Sequence, residues 1–487
     1  MTRRLLAVLL LLLPAAAGSP PAAAGAERGP ERGLGRESAV PLPALSLPPA
    51  GIHGHPMWDS WHELEPFGYT EQELFVSGTA TAADGSTAPY TTRVVVTRPT
   101  SRKAFNGSVL LDWVNVTAQF ENAVDSLEGR EELLRSGWAF VHVSAQAAGL
   151  CCTPLTPQVW DPVRYAGIDH PGDAYADDIY LQVARALRTG RVGDVRPMGR
   201  LRVQRVIAAG QSQSAGRLAG IVRAHPDGAG VIDGFLVHGS LAGLDYEPRL
   251  QVPVLQLNSD WTESVGEADD DPLFRVWDVA GSAHAGLFIG YQQVFGASRR
   301  LLDLPPVDEQ GYRDAIEAAG DYGQMPANPL YAACTAAGAS FPMHYVVNTA
   351  LRELDEWVRT GEAPRTAPRF ELEADGQTAA RDADGNVLGG LRLAPVEVPV
   401  ATYRSTDCQL GGITVPFDAV TLLQRYPTYA DYEARLVAAT DRAVRAGWLL
   451  PEDAVDQLRR ACAVRERYPA STDTCGWEDY TPPPFGG

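Results

Sequence analysis

The sequence predicts an α/β fold: a mainly parallel, eight-stranded sheet with helices on both faces and a C-terminal helical extension. Eight apolar segments have strand character, and the later ones are rich in Val, Ile, Leu and Phe, as strands buried on both faces are. Helical patterns separate several of these segments. Such a succession of strand, helix and strand is typical of a parallel sheet covered by helices.

The strand-like segments, in chain order, are ELFVSGTA, TTRVVVTRP, GSVLLDWVN, WAFVHVSA, RVIAAG, GFLVHGS, VPVLQLNS and FRVWDVAG. The first two flank the turn sequence TAADGSTAPY, which predicts an antiparallel hairpin. About a dozen residues separate GFLVHGS from VPVLQLNS, roughly the lower limit for a helical crossover, so we expect that helix to be short or absent.

The segment VDSLEGREELLRSG has a helical pattern that ends at Gly137, a residue type favoured at helix C-termini. DAYADDIYLQVARALRTG places Ile179, Val183 and Leu187 on one helix face. QSAGRLAGIVRAH and MHYVVNTALRELDEWVRTG are further predicted helices, and residues 417–465 also have helical character.

The N-terminal segment has the features of a secretory signal peptide over residues 1–26, so we expect a secreted, extracellular protein. Two arginines precede an apolar run, Leu5 to Leu13, that is too short to span a membrane. No stable membrane anchor is therefore expected after cleavage. The small-residue pattern allows cleavage after Ala17, Ala24 or Ala26.

Residues 27–50 are rich in Pro, Ala and Gly and predict a disordered linker. We expect one domain over residues 51–487. It contains a lid-like insertion at 285–342 and a C-terminal extension at 400–487.

The formal net charge of −19 argues against nucleic acid as a partner, because phosphate neutralisation needs a basic surface. Lys103 is the only lysine and lies in a turn-like sequence, which argues against a Ser-Lys dyad or a lysine Schiff base. Six cysteines in an exported chain suggest disulfides, and Cys462 and Cys475 are close enough to clip the C-terminal tail. The sequence leaves the pairing of the other four cysteines open, and no Cys/His spacing indicates a metal site.

The sequence RVIAAGQSQSAGRLAG has the features of a nucleophile elbow, a strained turn between a strand and a helix. Such a turn needs small residues two positions before and two positions after the nucleophile. Ser212 has Gly210 before it and Ser214 after it. Ser214 could be framed by Ser212 and Gly216, but the turn would then extend beyond the strand. We therefore favour Ser212 as the nucleophile.

The elbow implies a chain order of serine, acid and histidine. His284 follows the last predicted strand in the small-residue loop GSAHAG, at the sheet edge where the elbow lies. Asp260 and Glu263 follow the preceding strand. Asp260 is preferred as the acid because it is nearer the strand end, with Glu263 as the alternative. The acid would fix the imidazole tautomer and stabilise the imidazolium.

Two backbone groups are expected to stabilise a developing oxyanion. One is the N–H of Gln213, directly after the nucleophile at the start of a helix. The other is an N–H near Val116 or Thr117, in the loop after the third predicted strand. Asn115-Val116-Thr117 is also a glycosylation sequon, which we interpret as a coincidence at a pocket rim.

The chain resembles a large family of bacterial and fungal proteins with an alpha/beta-hydrolase domain, many of them exported. The resemblance covers about residues 66 to 465. Its motifs are APYTTRVVV, NGSVLLDWVNVT, HPGDAYADDIYLQV, GQSQSAGRL, VPVLQLNSD, RVWDVAGSAHA, LRELDEWVRTGEAPR and AGWLLPEDA. It implies an alpha/beta-hydrolase fold with Ser212 as nucleophile and His284 as base. In the acidic run SDWTE, Asp260 matches the first acidic place of the family, and Thr262 replaces the second.

These residues predict a secreted serine hydrolase that cleaves small-molecule or glycan-linked carboxylic esters through an acyl-enzyme. No cofactor and no metal are expected. Two alternatives remain: an acyltransferase or peptidase that uses the same triad, and a non-catalytic binding protein on a hydrolase scaffold.

Overall fold

A nine-stranded mixed sheet lies at the centre of the fold. The computed structural model describes residues 39–240, 243, 245–246, 249–260, 271–286, 289, 297–319, 338–468, 471 and 474–486. In chain order the strands are β1 (Ala44–Ser46), β2 (Tyr69–Thr81), β3 (Thr87–Pro99), β4 (Ser108–Trp113), β5 (Ala139–Val143), β6 (Arg205–Gln211), β7 (Gly234–His238), β8 (Val254–Ser259) and β9 (Phe274–Val279). All eight predicted segments form strands of this sheet.

The strands are arranged in the order β1-β2-β3-β5-β4-β6-β7-β8-β9. The pairs β1/β2, β2/β3 and β3/β5 are antiparallel, which confirms the predicted hairpin. All pairs from β5/β4 to β8/β9 are parallel. The carboxyl ends of β4, β6, β7, β8 and β9 therefore lie at the same edge of the sheet, where ligands of open α/β sheets bind.

The ninth strand corrects the C-terminal part of the disordered linker predicted at residues 27–50; residues 27–38 lie outside the described residues. Ala44–Ser46 forms β1 and pairs with the Phe75–Ser77 part of β2. The neighbouring prolines hold this stretch extended, and extended chain can pair with an open sheet edge although its composition is typical of linkers.

The helices are α1 (Val124–Glu128), α2 (Arg130–Arg135), α3 (Pro157–Trp160), α4 (Ala176–Thr189), α5 (Gln213–Ala224), α6 (Ala297–Leu301), α7 (Glu309–Ala319), α8 (Met343–Thr360), α9 (Ala394–Glu397), α10 (Ala419–Arg425), α11 (Tyr429–Arg445) and α12 (Pro451–Ala461). Short 3-10 helices occur at Glu65–Phe67, Ala147–Gly149, Asp173–Tyr175, Gly228–Gly230, Cys462–Arg467 and Trp477–Asp479. A separate hairpin pairs β10 (Ala401–Arg404) with β11 (Ile413–Pro416). The described residues between β7 and β8 form no helix, as the short crossover predicts.

Alternate side chains of the strands supply two hydrophobic cores. Val206 and Ala208 of β6 pack with α4 and α5, whereas Ile207 and Ala209 pack with α2, α8 and the C-terminal helices α11 and α12. The predicted apolar face of α4 is buried in the first of these cores. Helices therefore cover both faces of the sheet, and the C-terminal extension is part of the second core.

The predicted helix VDSLEGREELLRSG is divided into α1 and α2 at Gly129. A Cβ atom at position 129 would lie 2.3 Å from Leu351 Cδ1 and 2.9 Å from the carbonyl oxygen of Asp125. The close approach of α8 thus requires a glycine at this point, and the regular pattern of the sequence gives no sign of it.

Every described cysteine is disulfide-bonded. Cys462 and Cys475 are bonded, as expected, and Cys151 is bonded to its neighbour Cys152. Cys408 is also disulfide-bonded. Within the described ranges, no helix combines the length and apolar character needed to cross a bilayer.

We expect Gly129→Ala to destabilise the fold by roughly 1–3 kcal/mol, because the added methyl group overpacks the contact with Leu351. Urea unfolding of the variant and the wild type measures this difference. Gly220→Ala is the matched control: it lies on the exposed side of α5, and a Cβ there meets nothing within 4 Å. The control should gain up to about 1 kcal/mol from helix propensity, and equal effects of both substitutions would contradict the packing argument.

Candidate active site

Ser212 lies in a sharp turn between β6 and α5. Its backbone has φ 61° and ψ −118°, a conformation that residues other than glycine rarely adopt. The Ser212 N–H donates to the carbonyl of His238 at 2.8 Å, and its carbonyl accepts from the Gly216 N–H at 3.1 Å. A Cβ at Gly210 would approach Ser214 Cβ to 3.1 Å, so a small residue is needed there. The turn has the backbone geometry of a nucleophile elbow.

The second serine of the motif, Ser214, has a different environment. Its side chain is completely buried, and its hydroxyl donates to the carbonyl of Gln211 at 3.1 Å. Ser214 thus acts as the small residue that the elbow needs two positions after Ser212.

His284 reaches Ser212 from the loop after β9. The distance between His284 Nε2 and Ser212 Oγ is 2.7 Å, within hydrogen-bond reach for proton transfer. The loop turns at Gly281, where φ is 83° and a Cβ would lie 2.6 Å from Val396 Cγ2. This steric limit explains why a glycine starts the turn that carries His284.

The two acidic candidates are described to different extents. Asp260 lies directly after β8 and is buried, and its Oδ2 accepts a hydrogen bond from the Gly281 N–H at 2.8 Å. Its backbone N–H donates to the carbonyl of Ser282 at 3.2 Å. Asp260 therefore supports the turn that carries His284. Glu263 lies outside the described residues.

The backbone N–H groups predicted as oxyanion donors differ in whether they already have an acceptor. The Thr117 N–H donates to Asn115 Oδ1 at 2.9 Å, so it is already engaged within the loop. Hydrogen bonding in this loop, as far as it is described, leaves the N–H of Val116 without an acceptor. Gln213 is the first residue of α5, where backbone N–H groups have no helical acceptor. Val116 and Gln213 remain as candidates.

The sequence reasoning missed two residues that connect these loops. Asn115 is buried, and its Nδ2 donates to the carbonyl of Gln211 at 2.9 Å. Gln211 in turn donates from Nε2 to the carbonyl of His284 at 2.8 Å. Gln211 is the last residue of β6, and Asn115 follows the end of β4 by two positions. A polar residue directly after or at the end of a buried strand was the signal available in the sequence. Because Asn115 is buried and bonded at both ends, its sequon does not present an accessible acceptor for a glycan.

The profile of the family described as "Alpha/beta hydrolase domain" matches residues 40–459, most of the chain. The chain belongs to this alpha/beta-hydrolase-domain family. No curated protein matches it.

Solved structures similar to this hydrolase domain include esterases and a peptidase. Brefeldin A esterase, a bacterial homologue of human hormone-sensitive lipase, is 13% identical, with 39% of this chain and 60% of that chain covered and a TM-score of 0.23. Oligopeptidase B from Leishmania major is 10% identical (43% and 33% covered, TM-score 0.25). The rice cell wall degrading esterase LipA from Xanthomonas oryzae is 13% identical (35% and 42% covered, TM-score 0.22). The alignments span less than two thirds of each of these chains.

Three buried carboxyl groups lie behind the elbow of the hydrolase domain. His238, whose carbonyl holds the Ser212 N–H, has its Nδ1 2.9 Å from Asp125 Oδ1. Asp112 accepts from the N–H and the hydroxyl of Ser126. Burial raises the pKa of Asp112 to about 8, and the charge of Asp125 adds to the shift. Burial also raises the pKa of Glu128 to about 8, against the opposing effect of His238.

A cavity of about 70 Å³ lies elsewhere in the hydrolase domain, beside β3 and β5. Its lining includes Trp58, Trp61, Arg93, Glu121 and His142, but neither Ser212 nor His284. A cavity of this size can hold about two water molecules where its lining offers them polar partners. We therefore place the candidate reaction centre at the elbow and not in this cavity.

We expect the free energy of unfolding to fall as pH rises from about 4 to about 8, because Asp112 and Glu128 keep their protons in the folded protein but lose them in the unfolded chain. The stabilisation is complete below the unfolded pKa values and is lost as pH passes the raised values. Glu128→Gln, which cannot ionise, should reduce this decline by on the order of 1–3 kcal/mol. Urea unfolding at pH 5 and pH 8 measures it. The exposed Glu373→Gln serves as control, and an unchanged slope in Glu128→Gln would count against the assignment.

Proposed function

We propose that this protein is a secreted serine hydrolase that cleaves carboxylic esters through an acyl-enzyme. The observation that carries the proposal is the 2.7 Å contact of Ser212 Oγ with His284 Nε2 at a strained strand-to-helix turn. A serine hydroxyl becomes nucleophilic when a fixed base takes its proton. Membership of the alpha/beta-hydrolase-domain family supports the same reading.

In the proposed acylation step, Ser212 Oγ attacks the ester carbonyl while His284 Nε2 takes the hydroxyl proton. The carbonyl oxygen becomes negatively charged and is held by the N–H groups of Gln213 and Val116. The tetrahedral intermediate collapses when His284 gives the proton to the leaving alkoxide. An alcohol departs, and the acyl group stays on Ser212.

In the second step, water replaces the alcohol. His284 removes a proton from the water as it attacks the acyl-enzyme, and the same two N–H groups hold the oxyanion. The proton then passes to Ser212 Oγ, which releases the carboxylic acid. The enzyme returns to its starting state, and no redox step or cofactor is required by this chemistry.

The substrate class we propose is a small-molecule or glycan-linked ester. Secretion is supported by the signal-like sequence at residues 1–26 and by disulfides, which persist in oxidising compartments. Two aromatic residues in the segment after β5 pack against other side chains of the protein. Tyr165 is buried with its hydroxyl 3.0 Å from Glu73 Oε1, and Trp160 stacks on His53 at 3.9 Å.

We expect a fluorophosphonate probe to label Ser212, because it forms a stable adduct with a serine activated by a neighbouring base. Mass spectrometry of the labelled peptide identifies the site. Ser212→Ala should abolish labelling, and His284→Ala should lower ester turnover by at least about 10³-fold. Ser214→Ala is the matched control and should keep turnover within about tenfold, since its loss removes one hydrogen bond.

Four outcomes would contradict this proposal. Label on Ser214 would move the nucleophile, and a folded but unlabelled protein would favour a non-catalytic binding role. Formation of transesterified or amide products in the presence of added alcohols or amines, in place of hydrolysis, would favour an acyltransferase. Cleavage of peptides in preference to esters would favour a peptidase.

The triad acid is Asp260 or Glu263, and one pair of variants separates them. Because Asp260 lies directly after β8, is buried and bonds the turn that carries His284, we expect Asp260 to be the acid. Asp260→Asn should therefore lower kcat by about 10³- to 10⁴-fold, whereas Glu263→Gln should retain kcat within about tenfold. Steady-state kinetics measure both, and the reverse pattern would assign the acid to Glu263.

A further inference from the structure

Two neighbouring cysteines, Cys151 and Cys152, are joined by a disulfide. A disulfide stabilises a fold mainly by restricting the unfolded chain, and the effect grows with the length of the closed loop. A bond between adjacent residues closes the shortest loop that is possible. By comparison, Cys462 and Cys475 are thirteen positions apart. The Cys151–Cys152 bond is therefore expected to act mainly on the local conformation of the chain.

The bond fixes a bend in the loop after β5. Cys152 has φ 85°, in the left-handed region that residues other than glycine seldom adopt. The disulfide and the intervening peptide bond form a small ring, which restricts rotation of the backbone between the two residues. Cys152 is exposed and Cys151 is half-buried, so a reductant in solvent has access to the bond.

Both sides of this bend contact the turn that carries a proposed oxyanion donor. That turn runs from Val116 to Gln119 and is closed by the Gln119 N–H, which donates to the Val116 carbonyl at 2.9 Å. Before the disulfide, Gly149 packs so closely that a Cβ there would lie 2.7 Å from Val116 Cγ1. After the disulfide, Thr153 Oγ1 donates to the Gln119 carbonyl at 3.2 Å.

We propose that the Cys151–Cys152 disulfide is a positioning element for the Val116 N–H, and this rests on the proposed function. Reduction by an external dithiol cleaves the S–S bond, gives two thiols and converts the reductant into its own disulfide. Cys152 is then released from its left-handed conformation, and the two contacts with the turn loosen. An oxyanion donor acts on the transition state, so its displacement lowers kcat and leaves KM nearly unchanged.

The first test is the double variant Cys151→Ser/Cys152→Ser of the full chain, compared with the wild type on a p-nitrophenyl ester. We expect kcat and the rate of fluorophosphonate labelling to fall by at least about tenfold, with KM within about threefold of the wild type. Circular dichroism and thermal unfolding check that the variant is folded. Gly149→Ala is the second variant: it displaces Val116 without touching sulfur and should lower kcat in the same way.

The matched control is Cys462→Ser/Cys475→Ser, which removes a disulfide in the C-terminal part of the chain. It should lower the unfolding temperature and keep kcat within about twofold, because it closes a longer loop away from the turn. Dithiothreitol should lower kcat of the wild type and of this control. It should have no further effect on kcat of Cys151→Ser/Cys152→Ser, which separates this bond from the disulfide of Cys408.

A folded Cys151→Ser/Cys152→Ser variant with wild-type kcat would overturn the proposal. A change confined to KM would also overturn it, because it would assign the disulfide to substrate contact. A wild-type protein that neither reacts with the fluorophosphonate nor turns over esters would reject the proposed function itself. That result depends on the wild type alone, whereas the disulfide proposal is tested by comparing the variant with the wild type, so the two failures can be distinguished.

Discussion

The left-handed backbone of Ser212 is the constraint on which the candidate site depends. A non-glycine residue in such a conformation costs of order 1–3 kcal/mol and persists only where its surroundings determine it. Here β6 fixes the chain before Ser212, α5 fixes it afterwards, and the His238 carbonyl holds its N–H. As a result, the Ser212 hydroxyl projects from the sheet edge, and the N–H groups of the following residues lie in the first turn of α5.

The edge of the parallel sheet brings the other groups to this point. β4 ends before Asn115, β6 ends at Gln211, and the loop after β9 carries His284. Asn115 bonds the Gln211 carbonyl, and Gln211 bonds the His284 carbonyl. The loop with the proposed oxyanion donor, the turn at Ser212 and the proposed base His284 are thus connected by two buried side-chain amides. Buried amides that are fully bonded fix geometry more strongly than apolar contacts do, because any displacement leaves a polar group without a partner.

Regular patterns in the sequence were sufficient to predict the strands and most helices, because burial on two faces or on one stripe leaves a direct mark on residue types. β1 was missed because a proline-rich stretch can pair only if a sheet edge is there to accept it. The break at Gly129 was missed because it depends on Leu351, over two hundred residues away. The elbow could be predicted from the sequence because its steric limits concern only the residues two positions before and two positions after the serine. The competition of Asn115 for the Thr117 N–H, and the choice between Asp260 and Glu263, depend on side-chain positions that no spacing rule specifies.

A buried ion-pair network also holds the segment that follows the Val116–Gln119 turn. Glu121 follows the turn and pairs with Arg93 of β3, which also bonds Glu73 Oε1 of β2 at 2.7 Å. Glu73 in turn accepts from Arg164 at 2.6 Å, in the loop that continues from the disulfide. Such buried pairs add little net stability, since desolvation offsets their attraction, but breaking one leaves an uncompensated charge. The network therefore links the loop after β4 to the loop that continues from the disulfide, and it restrains both through contacts that the sheet strands alone do not provide.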